Sequence, residues 1–441
     1  MFVQKSMNNT GPLILDQSFN DILHELEYTN NSFFITGKAG TGKSTLLQLF
    51  RQTTKKQVVV LAPTGVAALH VRGQTIHSFF AFPPNLMDVR TIRKRPKNQI
   101  YKRMEVLVID EISMVRADLI DHMDLFLRLN RENEEPFGGV RVVFFGDLFQ
   151  LPPVVSTPFE KGYFHEVYAS PYFFDARLFR ENGFFLQCIE MEKIYRQDER
   201  SFIQLLNQIR LNDMDYEDLE YLNTRYQQEV PTSEYTVTLS ARNAQVDAMN
   251  RMELNRLHQT EFTYKATVLG QFDPRLYPTE AILTLKAGAQ IMLVRNDLQK
   301  RFVNGTIGKI ETLDDKHIGI SFIDPSGEKQ FLEVEPSDWE IVKYHLPEGK
   351  KGPIEAEVVG VFRQFPVKLA WSVTIHKSQG KTYDRVIIDL GSGAFEHGQT
   401  YVALSRCRTF EGIHLKRPIR AQDILVDPRV TDFYQSIVRN G

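Results

Sequence analysis

Cysteine and tryptophan are scarce in this sequence of 441 residues, which contains two of each. The two cysteines, Cys188 and Cys407, lie far apart and show no metal-ligand spacing, which argues against a disulfide framework and against a zinc site. No apolar run approaches the roughly 18 residues that a membrane-spanning helix requires, and the N-terminus lacks the hydrophobic core of a signal peptide. We therefore expect a cytoplasmic protein, associated with the nucleoid if its source is bacterial, that does not interact with membranes.

An excess of positive charge is also missing, because 53 lysines and arginines are balanced by 55 aspartates and glutamates. Overall basicity therefore does not attract nucleic acid, and any nucleic-acid site has to be a local groove. The sequence contains no solenoid-length repeat and no low-complexity segment. With 441 residues, of which 42% are hydrophobic, the chain is too long for a single core and is expected to divide into several domains.

A glycine-rich loop at residues 37–44 is the most informative segment of the chain. It reads Gly-Lys-Ala-Gly-Thr-Gly-Lys-Ser, follows the apolar run at 32–36 and precedes the leucine-rich stretch at 45–50. In this pattern the glycines let backbone N–H groups surround phosphates, Lys43 contributes a positive charge, and the Ser44 hydroxyl can bind Mg²⁺. The strand before the loop and the helix after it favour a P-loop over a glycine-rich turn without a ligand.

Continuous apolar runs alternate with helical patterns through roughly the first 180 residues, which is typical of a parallel sheet covered by helices on both faces. This alternation predicts a doubly wound α/β domain. It resumes near residue 184, which predicts a second domain of similar build. The runs lie at 32–36, 58–62, 106–109 and 142–145 in the first domain, and at 236–240 and 386–390 in the second.

Two segments interrupt the alternation and predict insertions. Residues 76–104 combine an aromatic cluster at 79–82 with seven basic residues between Arg90 and Arg103. This segment is either a solvated basic loop beside an aromatic cluster that packs on the parent domain, or an element that contacts or separates nucleic-acid strands. Residues 262–362 contain short alternating strands with turn signals, which predict a small β-barrel.

Two carboxylates follow the third apolar run, at the edge where open α/β sheets bind ligands. Asp110 is placed to hold Mg²⁺, and Glu111 is placed to polarise the attacking water. Capping of the next helix is the alternative role for both side chains.

A glutamine and two arginines complete the candidate hydrolytic site. Gln150 follows the fourth run and can sense the γ-phosphate, or it is an ordinary exposed loop residue. Phosphoryl transfer also needs positive charge against its transition state, for which Arg196 and Arg406 are candidates. Surface salt bridges are the alternative role for both arginines.

The ordered series of motifs resembles the superfamily-one helicases, within them the RecD-like 5′ to 3′ group, and most closely the Pif-one DNA helicases. The stretch from Asp118 through Pro136-Phe137-Gly138-Gly139 to Asp147 resembles the signature of the Pif-one proteins. After the P-loop at 37–45, the matching motifs are LAPTGVAA at 61–68, GQTIHSFF at 73–80, IDEISM at 109–114, FFGDLFQLPP at 144–153, YRQ at 195–197, TIHKSQG at 374–380 and YVALSR at 401–406.

The resemblance implies an α/β fold with two RecA-like P-loop motor domains, a small wedge-like insertion in the first and a small SH3-like β-barrel insertion in the second. The expected first motor domain comprises residues 1–63 and 105–183, and its insertion comprises 64–104. The expected second motor domain comprises residues 184–261 and 363–441, and its insertion comprises 262–362.

The resemblance also implies a role for each motif residue, with ATP and Mg²⁺ as cofactors. The residues expected to act in hydrolysis are Lys43, Asp110, Glu111, Gln150, Arg196 and Arg406, with Ser44 and Asp110 on the metal. Those expected to hold the nucleotide are Gln17, which reads the adenine, and Gly37, Gly40, Thr41, Gly42, Lys43, Ser44, Thr45 and Gly380. Those expected to line single-stranded DNA, mostly through its phosphates, are Thr64, Thr75, His77, Asn243, Thr374, His376 and Ser378.

The sequence therefore favours an ATP-dependent DNA helicase that acts as a monomer in genome maintenance on single-stranded DNA and 5′-tailed duplexes. The 5′ to 3′ polarity, and any binding of G-quadruplexes or RNA–DNA hybrids, follow from the resemblance alone. The first alternative is a DNA-stimulated ATPase or translocase that does not separate strands. Less favoured are a nucleotide kinase that shares only the P-loop, and a nucleotide-gated binding module without hydrolysis, which the presence of Glu111 opposes.

The P-loop assignment predicts that Lys43→Ala abolishes ATP hydrolysis, because the variant lacks the positive charge that faces the phosphates. Steady-state phosphate release measures this effect. Full turnover by the variant would remove the P-loop interpretation.

Overall fold

The computed structural model describes residues 17–96, 99–155, 157–181, 183–226, 234–297, 299, 301–324, 327–347 and 353–440. Residues 1–16, which the sequence assigns to the first domain, lie outside the described residues. Within the described ranges, no helix has the length and apolar character needed to cross a membrane.

The first sheet is parallel and lies between helices. Its strands are β1 (Phe33–Gly37), β2 (Val58–Ala62), β3 (Gln74–Thr75), β4 (Val106–Ile109), β5 (Arg141–Phe145) and β6 (Gln187–Met191). They pair in the order β3-β2-β4-β5-β1-β6. The surrounding helices are α1 (Gln17–Tyr28), α2 (Lys43–Thr53), α3 (Gly65–His70), α4 (Ile76–Phe80), α5 (Ile100–Arg103), α6 (Ala117–Arg131), α7 (Pro158–Val167) and α8 (Arg177–Glu181). All residues of β1, β4 and β5 are buried, as the predicted two-sided cover requires.

The rest of the chain contains a second set of helices and strands. The strands are β7 (Val237–Ser240), β8 (Glu261–Lys265), β9 (Thr267–Gly270), β10 (Ile282–Lys286), β11 (Gln290–Leu293), β12 (Ile307–Leu313), β13 (Ile318–Ile323), β14 (Lys329–Val334), β15 (Ser337–His345), β16 (Glu355–Gln364), β17 (Val367–Leu369), β18 (Ser372–Thr374), β19 (Val386–Asp389) and β20 (Ile413–Leu415). The helices are α9 (Arg200–Leu211), α10 (Tyr216–Asn223), α11 (Asn243–Arg256), α12 (Ile375–Ser378), α13 (Gln399–Leu404) and α14 (Pro428–Asn440).

The second sheet is also parallel and has the order β18-β7-β19-β20. Three strands and one helix depart from the expected domain bounds. β17 was expected in the second motor domain but pairs with β11 of its insertion. β6 was expected in the second domain but pairs with β1, and β3 was expected in the wedge-like insertion but pairs with β2. Gln187 and Glu190 interrupt the apolar residues of β6, and β3 has only two residues, so neither strand shows the continuous apolar run that identifies a buried strand.

Helix α14 was assigned to the second domain and instead packs on the first. The Phe433 ring is stacked on Phe174, with centroids 4.3 Å apart, and the Tyr434 hydroxyl donates to Glu190 at 2.9 Å. The sequence shows that α14 has an apolar face, but it does not show against which domain that face packs. The C-terminus therefore ties the second half of the chain to the first sheet.

The aromatic cluster of the first insertion is part of the core. Phe80 is stacked on Phe82 at 5.2 Å, and both rings meet Phe126 of α6 edge-on. These rings are therefore not available to stack on bases. The aromatic cluster packs on the parent domain, as the first of the two interpretations predicts. The basic side chains Arg93 and Lys94 remain exposed beside it.

The second insertion is entirely antiparallel. A five-stranded sheet, β14-β13-β12-β11-β17, and the β8–β10 pair share one hydrophobic core, which corresponds to the predicted small barrel. A third sheet contains the long β15–β16 hairpin, which reaches the first domain. There the Tyr344 hydroxyl accepts from the Val60 N–H at 3.1 Å, and the Gln57 side chain accepts from the Ile354 N–H at 2.6 Å.

One arginine fixes helix α1 to the first sheet. Arg141 of β5 donates to the carbonyl of Leu26, in the last turn of α1, and to that of Asn31, in the connection from α1 to β1. Its guanidinium lies 5.2 Å from the Phe33 ring. Burial lowers its pKa to about 10. A cation that satisfies several helix-end carbonyls is hard to replace.

We predict that Arg141→Met lowers the free energy of unfolding by ~2–4 kcal/mol, because buried carbonyls lose a charged donor. Urea unfolding of the variant measures the loss. Arg90→Met is the control, since Arg90 is exposed and pairs only with the nearby Asp88. Equal stability of the wild type and Arg141→Met would contradict the role given to Arg141.

Candidate active site

The P-loop connects β1 to α2 at the carboxyl edge of the first sheet. Gly40 has a φ of 87°, and a Cβ atom at this position would lie 2.6 Å from the Cβ of Arg196. A side chain is therefore excluded both by the left-handed backbone and by the neighbouring segment. The same segment is hydrogen-bonded to the loop, because the Tyr195 N–H donates to the Gly40 carbonyl at 2.9 Å. The loop thus brings Arg196 to its own surface.

Lys43 is directed at the carbonyls of the P-loop itself. Its ammonium donates to Gly37 at 2.6 Å and to Lys38 at 3.0 Å. Burial lowers its pKa, and the carboxylates of Asp147 and Glu111 oppose that shift. A phosphate in the loop would offer this cation a partner of opposite charge.

The other P-loop side chains occupy the first turn of α2 or the loop itself. Thr41 is buried and its hydroxyl donates to the Lys38 carbonyl at 3.0 Å. Ser44 and Thr45 are half-buried on the first turn of α2. The backbone at Gly42 is left-handed with a φ of 88°, as is the Gly40 backbone.

Asp110 and Glu111 follow β4, and both are close enough to Lys43 to feel its charge. Burial raises the pKa of both carboxyls; Glu111 adds to the rise for Asp110, and Lys43 opposes it for both. Glu111 has a φ of 52°, a left-handed conformation that is uncommon outside glycine and typical of functional sites. The structure thus places two buried carboxylates against the cation of the P-loop.

Gln150 and Gln379 connect the two domains at this point. Gln379, beyond the end of α12, donates to Glu111 at 3.2 Å and to the side-chain oxygen of Gln150 at 3.0 Å. Gln150 in turn donates to Asp147 at 3.2 Å. A side chain of the second domain therefore holds the carboxylate that was expected to polarise water.

Neither candidate arginine is a surface residue: Arg196 adjoins the P-loop at Gly40, and Arg406 is close enough to Arg196 and Glu111 to influence their charges. Arg196 donates to the Ser405 carbonyl at 3.3 Å, and burial together with the nearby Arg406 lowers its pKa to about 9. Arg406 is 1% exposed and donates to the Val402 carbonyl at 2.9 Å and to the Ser405 hydroxyl at 2.8 Å. Burial lowers the pKa of Arg406, and Glu111 is among the groups that oppose the shift.

Comparison with known proteins identifies the family to which this site belongs. A family model described as PIF1-like helicase matches residues 14–220. The ATP-dependent DNA helicase Pif1 of Bdellovibrio bacteriovorus is 31% identical over 424 residues, which cover 93% of this chain and 90% of that protein. The chain belongs to the PIF1-like helicase family. The ATP-dependent DNA helicase PIF1 of Emericella nidulans is also 31% identical, and the match covers 97% of this chain but 63% of that protein.

Solved structures of the family match the whole fold. The structure of Bacteroides sp Pif1 in complex with ADP-AlF4 is 34% identical, with a TM-score of 0.88 over 97% of this chain and 98% of that chain. The structure of Pif1 helicase from Bacteroides in complex with ADP-AlF3 and ssDNA has the same identity and coverage, 34%, 97% and 98%, but a TM-score of 0.67.

Two other residues expected at the nucleotide are exposed. Gln17 begins α1 and its side chain donates to Asp21 at 2.9 Å. Phe19 of the same helix lies against the P-loop, 2.9 Å from a Cβ placed on Gly42, so Gln17 is near the loop. Gly380 has a φ of 77°, and a Cβ atom placed on it would meet no atom within 4 Å.

The residues expected on DNA follow the strands of both sheets at their carboxyl ends. Asn243 begins α11 and is exposed, and the His376 imidazole lies 2.8 Å from the Glu396 carboxylate. Burial and the nearby Arg116 lower the pKa of His77. These residues mark one edge of each sheet, as a strand-binding surface across both domains requires.

Four hydroxyls in this set are already engaged within the protein. Thr64 and Thr75 accept from backbone N–H groups one turn later and remain accessible to solvent. Thr374 is buried and accepts from the Lys377 N–H at 3.2 Å, and Ser378 is buried and donates to the Ile375 carbonyl at 2.6 Å. The Thr374 and Ser378 hydroxyls therefore both serve α12, and their contact with a DNA strand stays a prediction.

Several residues at the site were not assigned a role from the sequence. Gln379, Asp147 and Tyr401 belong to the recognised motifs, but motif spacing does not tell which side chains contact one another across domains. Arg210 lies in no motif at all. Its only sequence signal is an arginine among the apolar positions of an amphipathic helix.

We predict that Arg406→Ala retains nucleotide binding but slows ATP turnover by orders of magnitude, because the transition state loses its positive charge. A fluorescent ATP analogue measures binding, and phosphate release measures turnover. Arg408→Ala is the matched control, since Arg408 is two positions away and half-exposed in an ion pair with Asp384. Unchanged turnover in Arg406→Ala would make this arginine a structural residue.

Proposed function

We propose that this chain is an ATP-dependent DNA helicase that moves 5′ to 3′ along single-stranded DNA and unwinds duplex DNA. The observation that carries the proposal is the convergence of both domains on one P-loop. The first domain contributes Lys43 and Glu111, and the second contributes Gln379 and Arg406. A nucleotide bound there contacts both domains, so hydrolysis changes how they are held together.

ATP with Mg²⁺ fits the groups at this site. The Ser44 hydroxyl and the Asp110 carboxylate are hard oxygen ligands, and burial with the nearby Glu111 raises the pKa of Asp110, a shift that a cation would reverse. Mg²⁺ is commonly held by one or two protein oxygens together with substrate phosphates. We propose that Ser44 and Asp110 hold the ion, which stabilises the charge that develops on the transferred phosphoryl group.

Single-stranded DNA as the track is supported by a cluster of cations where the second sheet meets its insertion. Lys368 of β17 is opposite Met292 of β11, and the ammonium of Lys381 contacts the sulfur of Met292 at 3.6 Å. Burial, Lys368 and Lys377 lower the pKa of Lys381 to about 7. Cations held this close together attract a phosphate backbone independently of its sequence.

A change of domain arrangement on DNA binding is supported by the two Bacteroides structures. Identity and coverage are equal, so the lower TM-score of the ssDNA complex supports a different arrangement of the same domains. The present structure is more similar in domain arrangement to the ADP-AlF4 complex than to the complex with ADP-AlF3 and ssDNA. The β15–β16 hairpin contacts the first domain at Gln57, Val60, Gln74 and Phe79, and these contacts would have to break if the hairpin moved away from that domain.

The competing function is an ATPase or translocase that moves on DNA without separating strands. Nothing at the ATP site distinguishes the two, because they share the motor. The wedge-like insertion favours unwinding, since its exposed cations at Arg93 and Lys94 stand beside a rigid aromatic core. Action as a monomer, and on G-quadruplexes or RNA–DNA hybrids, belongs to the proposal through the family alone.

The experiment uses duplexes that carry a single-stranded tail at the 5′ or the 3′ end. We expect displaced strand from the 5′-tailed duplex with ATP, none from the 3′-tailed duplex, and none from either without ATP. Lys43→Ala is the matched control for contaminating activity. Hydrolysis without displaced strand would favour the translocase, and displacement from the 3′-tailed duplex alone would contradict the polarity.

A further inference from the structure

Asp147, which follows β5, is a buried carboxylate on which both domains converge. From the first domain it accepts hydrogen bonds from the Phe149 N–H and the Gln150 side chain, each at 3.2 Å. From the second half of the chain it accepts from Arg210, at 3.3 and 3.4 Å, and from the Tyr401 hydroxyl at 3.4 Å. This carboxylate is 1% exposed, so nearly all of its partners are protein groups.

Arg210, at the end of α9, holds Asp147 from one side. Its guanidinium lies 4.2 Å from the Phe149 ring and 5.0 Å from the Tyr434 ring, and the residue is 1% exposed. Burial acts to lower its pKa, but Asp147 and the two tyrosines Tyr401 and Tyr434 leave that pKa raised. Arg210 is therefore a permanent cation with a fixed orientation between two rings.

Tyr401, on α13, holds Asp147 from the other side and also contacts the P-loop. Its hydroxyl accepts from the Ala39 N–H at 2.9 Å while it donates to Asp147. A phenol has one donor and can accept as well, so both capacities are used here. One hydroxyl of the second domain therefore joins two loops of the first domain, the P-loop and the loop after β5.

The contacts continue from Asp147 to the carboxylate expected to polarise water. Gln150 donates to Asp147, and Gln379 donates to both Gln150 and Glu111. The path from the Ala39 amide to Glu111 crosses to the second domain at Tyr401 and again at Gln379. This path is complete only while the two domains keep this arrangement. Closure of the domains therefore affects both the P-loop, at Ala39, and Glu111.

We propose that Tyr401 and Arg210 are positioning residues for ATP hydrolysis: Arg210 fixes Asp147, and the Tyr401 hydroxyl ties Asp147 to the P-loop when the domains close. The inference rests on the proposed ATP hydrolysis. It assigns these side chains an effect on ATP turnover in the closed state rather than on nucleotide affinity, since their hydrogen bonds go to Asp147 and to the P-loop backbone. A purely structural role predicts a loss of stability with unchanged kcat.

Tyr401→Phe is the direct test, because it removes one hydroxyl and keeps the ring. Saturating single-stranded DNA is present, and kcat, KM and the affinity for a fluorescent ATP analogue are measured. We expect kcat to fall by about two- to tenfold, because the lost hydrogen bond to the Asp147 carboxylate is long at 3.4 Å, with KM and affinity changed less than about twofold. Unchanged kcat would overturn the assignment of Tyr401.

Tyr168→Phe is the matched control. Tyr168 is also a buried tyrosine whose hydroxyl donates to a carboxylate, that of Asp121, at 3.0 Å, and it lies outside the ATP site. We expect its kcat to equal that of the wild type. An equal loss in both variants would attribute the effect to stability and overturn the proposal for Tyr401.

A double-mutant cycle tests whether the contacts act as one network. Tyr401 and Gln379 do not contact each other in the path described above, so independent residues would lose activity multiplicatively. We expect Tyr401→Phe combined with Gln379→Ala to lose clearly less kcat than the product of the two single losses. Multiplicative losses would overturn the network.

Arg210→Lys tests the anchor while keeping the charge. A lysine cannot lie flat between two rings and donate twice to a carboxylate. We expect a lower kcat at unchanged nucleotide affinity, and circular dichroism verifies that the variant is folded; wild-type kcat would overturn the assignment of Arg210. Absence of ATP turnover in the wild type would contradict the proposed function itself, whereas an active wild type with unaffected variants contradicts only this inference.

Discussion

Buried charge at the junction of the two domains is the constraint on which the rest of the structure depends. Lys43, Arg196 and Arg406 are cations with little access to water, and Asp110 and Glu111 are carboxylates with raised pKa values beside them. Groups of this kind are costly to bury unless each finds a partner of opposite charge. Phosphates would supply that partner for the cations, and a metal ion would supply it for the carboxylates, so the site is suited to a nucleotide.

The same constraint explains how chemistry is connected to motion. The charges come from both domains, so a nucleotide that neutralises them also holds the domains together, and loss of the γ-phosphate removes much of that attraction. Gln379 and Tyr401 add contacts that cross the junction. Gln379 contacts Glu111 and Gln150, and Tyr401 contacts Asp147 and Ala39. Binding or loss of the nucleotide therefore affects the junction at more than one contact, as a motor driven by ATP hydrolysis requires.

Much of the fold and of the ATP site could be predicted from the sequence. The glycine pattern fixes the P-loop, and continuous apolar runs identify β1, β2, β4 and β5. Contacts across domains could not be predicted, because the side chains that meet there are distant in sequence and include Arg210, which lies in no motif. The edge strands β3 and β6 were assigned to other domains because one is too short and the other too polar to give the signal of a buried strand.

The central claim is that both domains of one chain act on one nucleotide. Mixing two inactive variants, Lys43→Ala and Arg406→Ala, over a range of concentrations with single-stranded DNA tests it most directly. If the arginine and the lysine act within one chain, the mixture remains as inactive as its components at every concentration. Recovery of ATP hydrolysis on mixing would contradict the account, because it would mean that the arginine reaches a nucleotide held by another molecule.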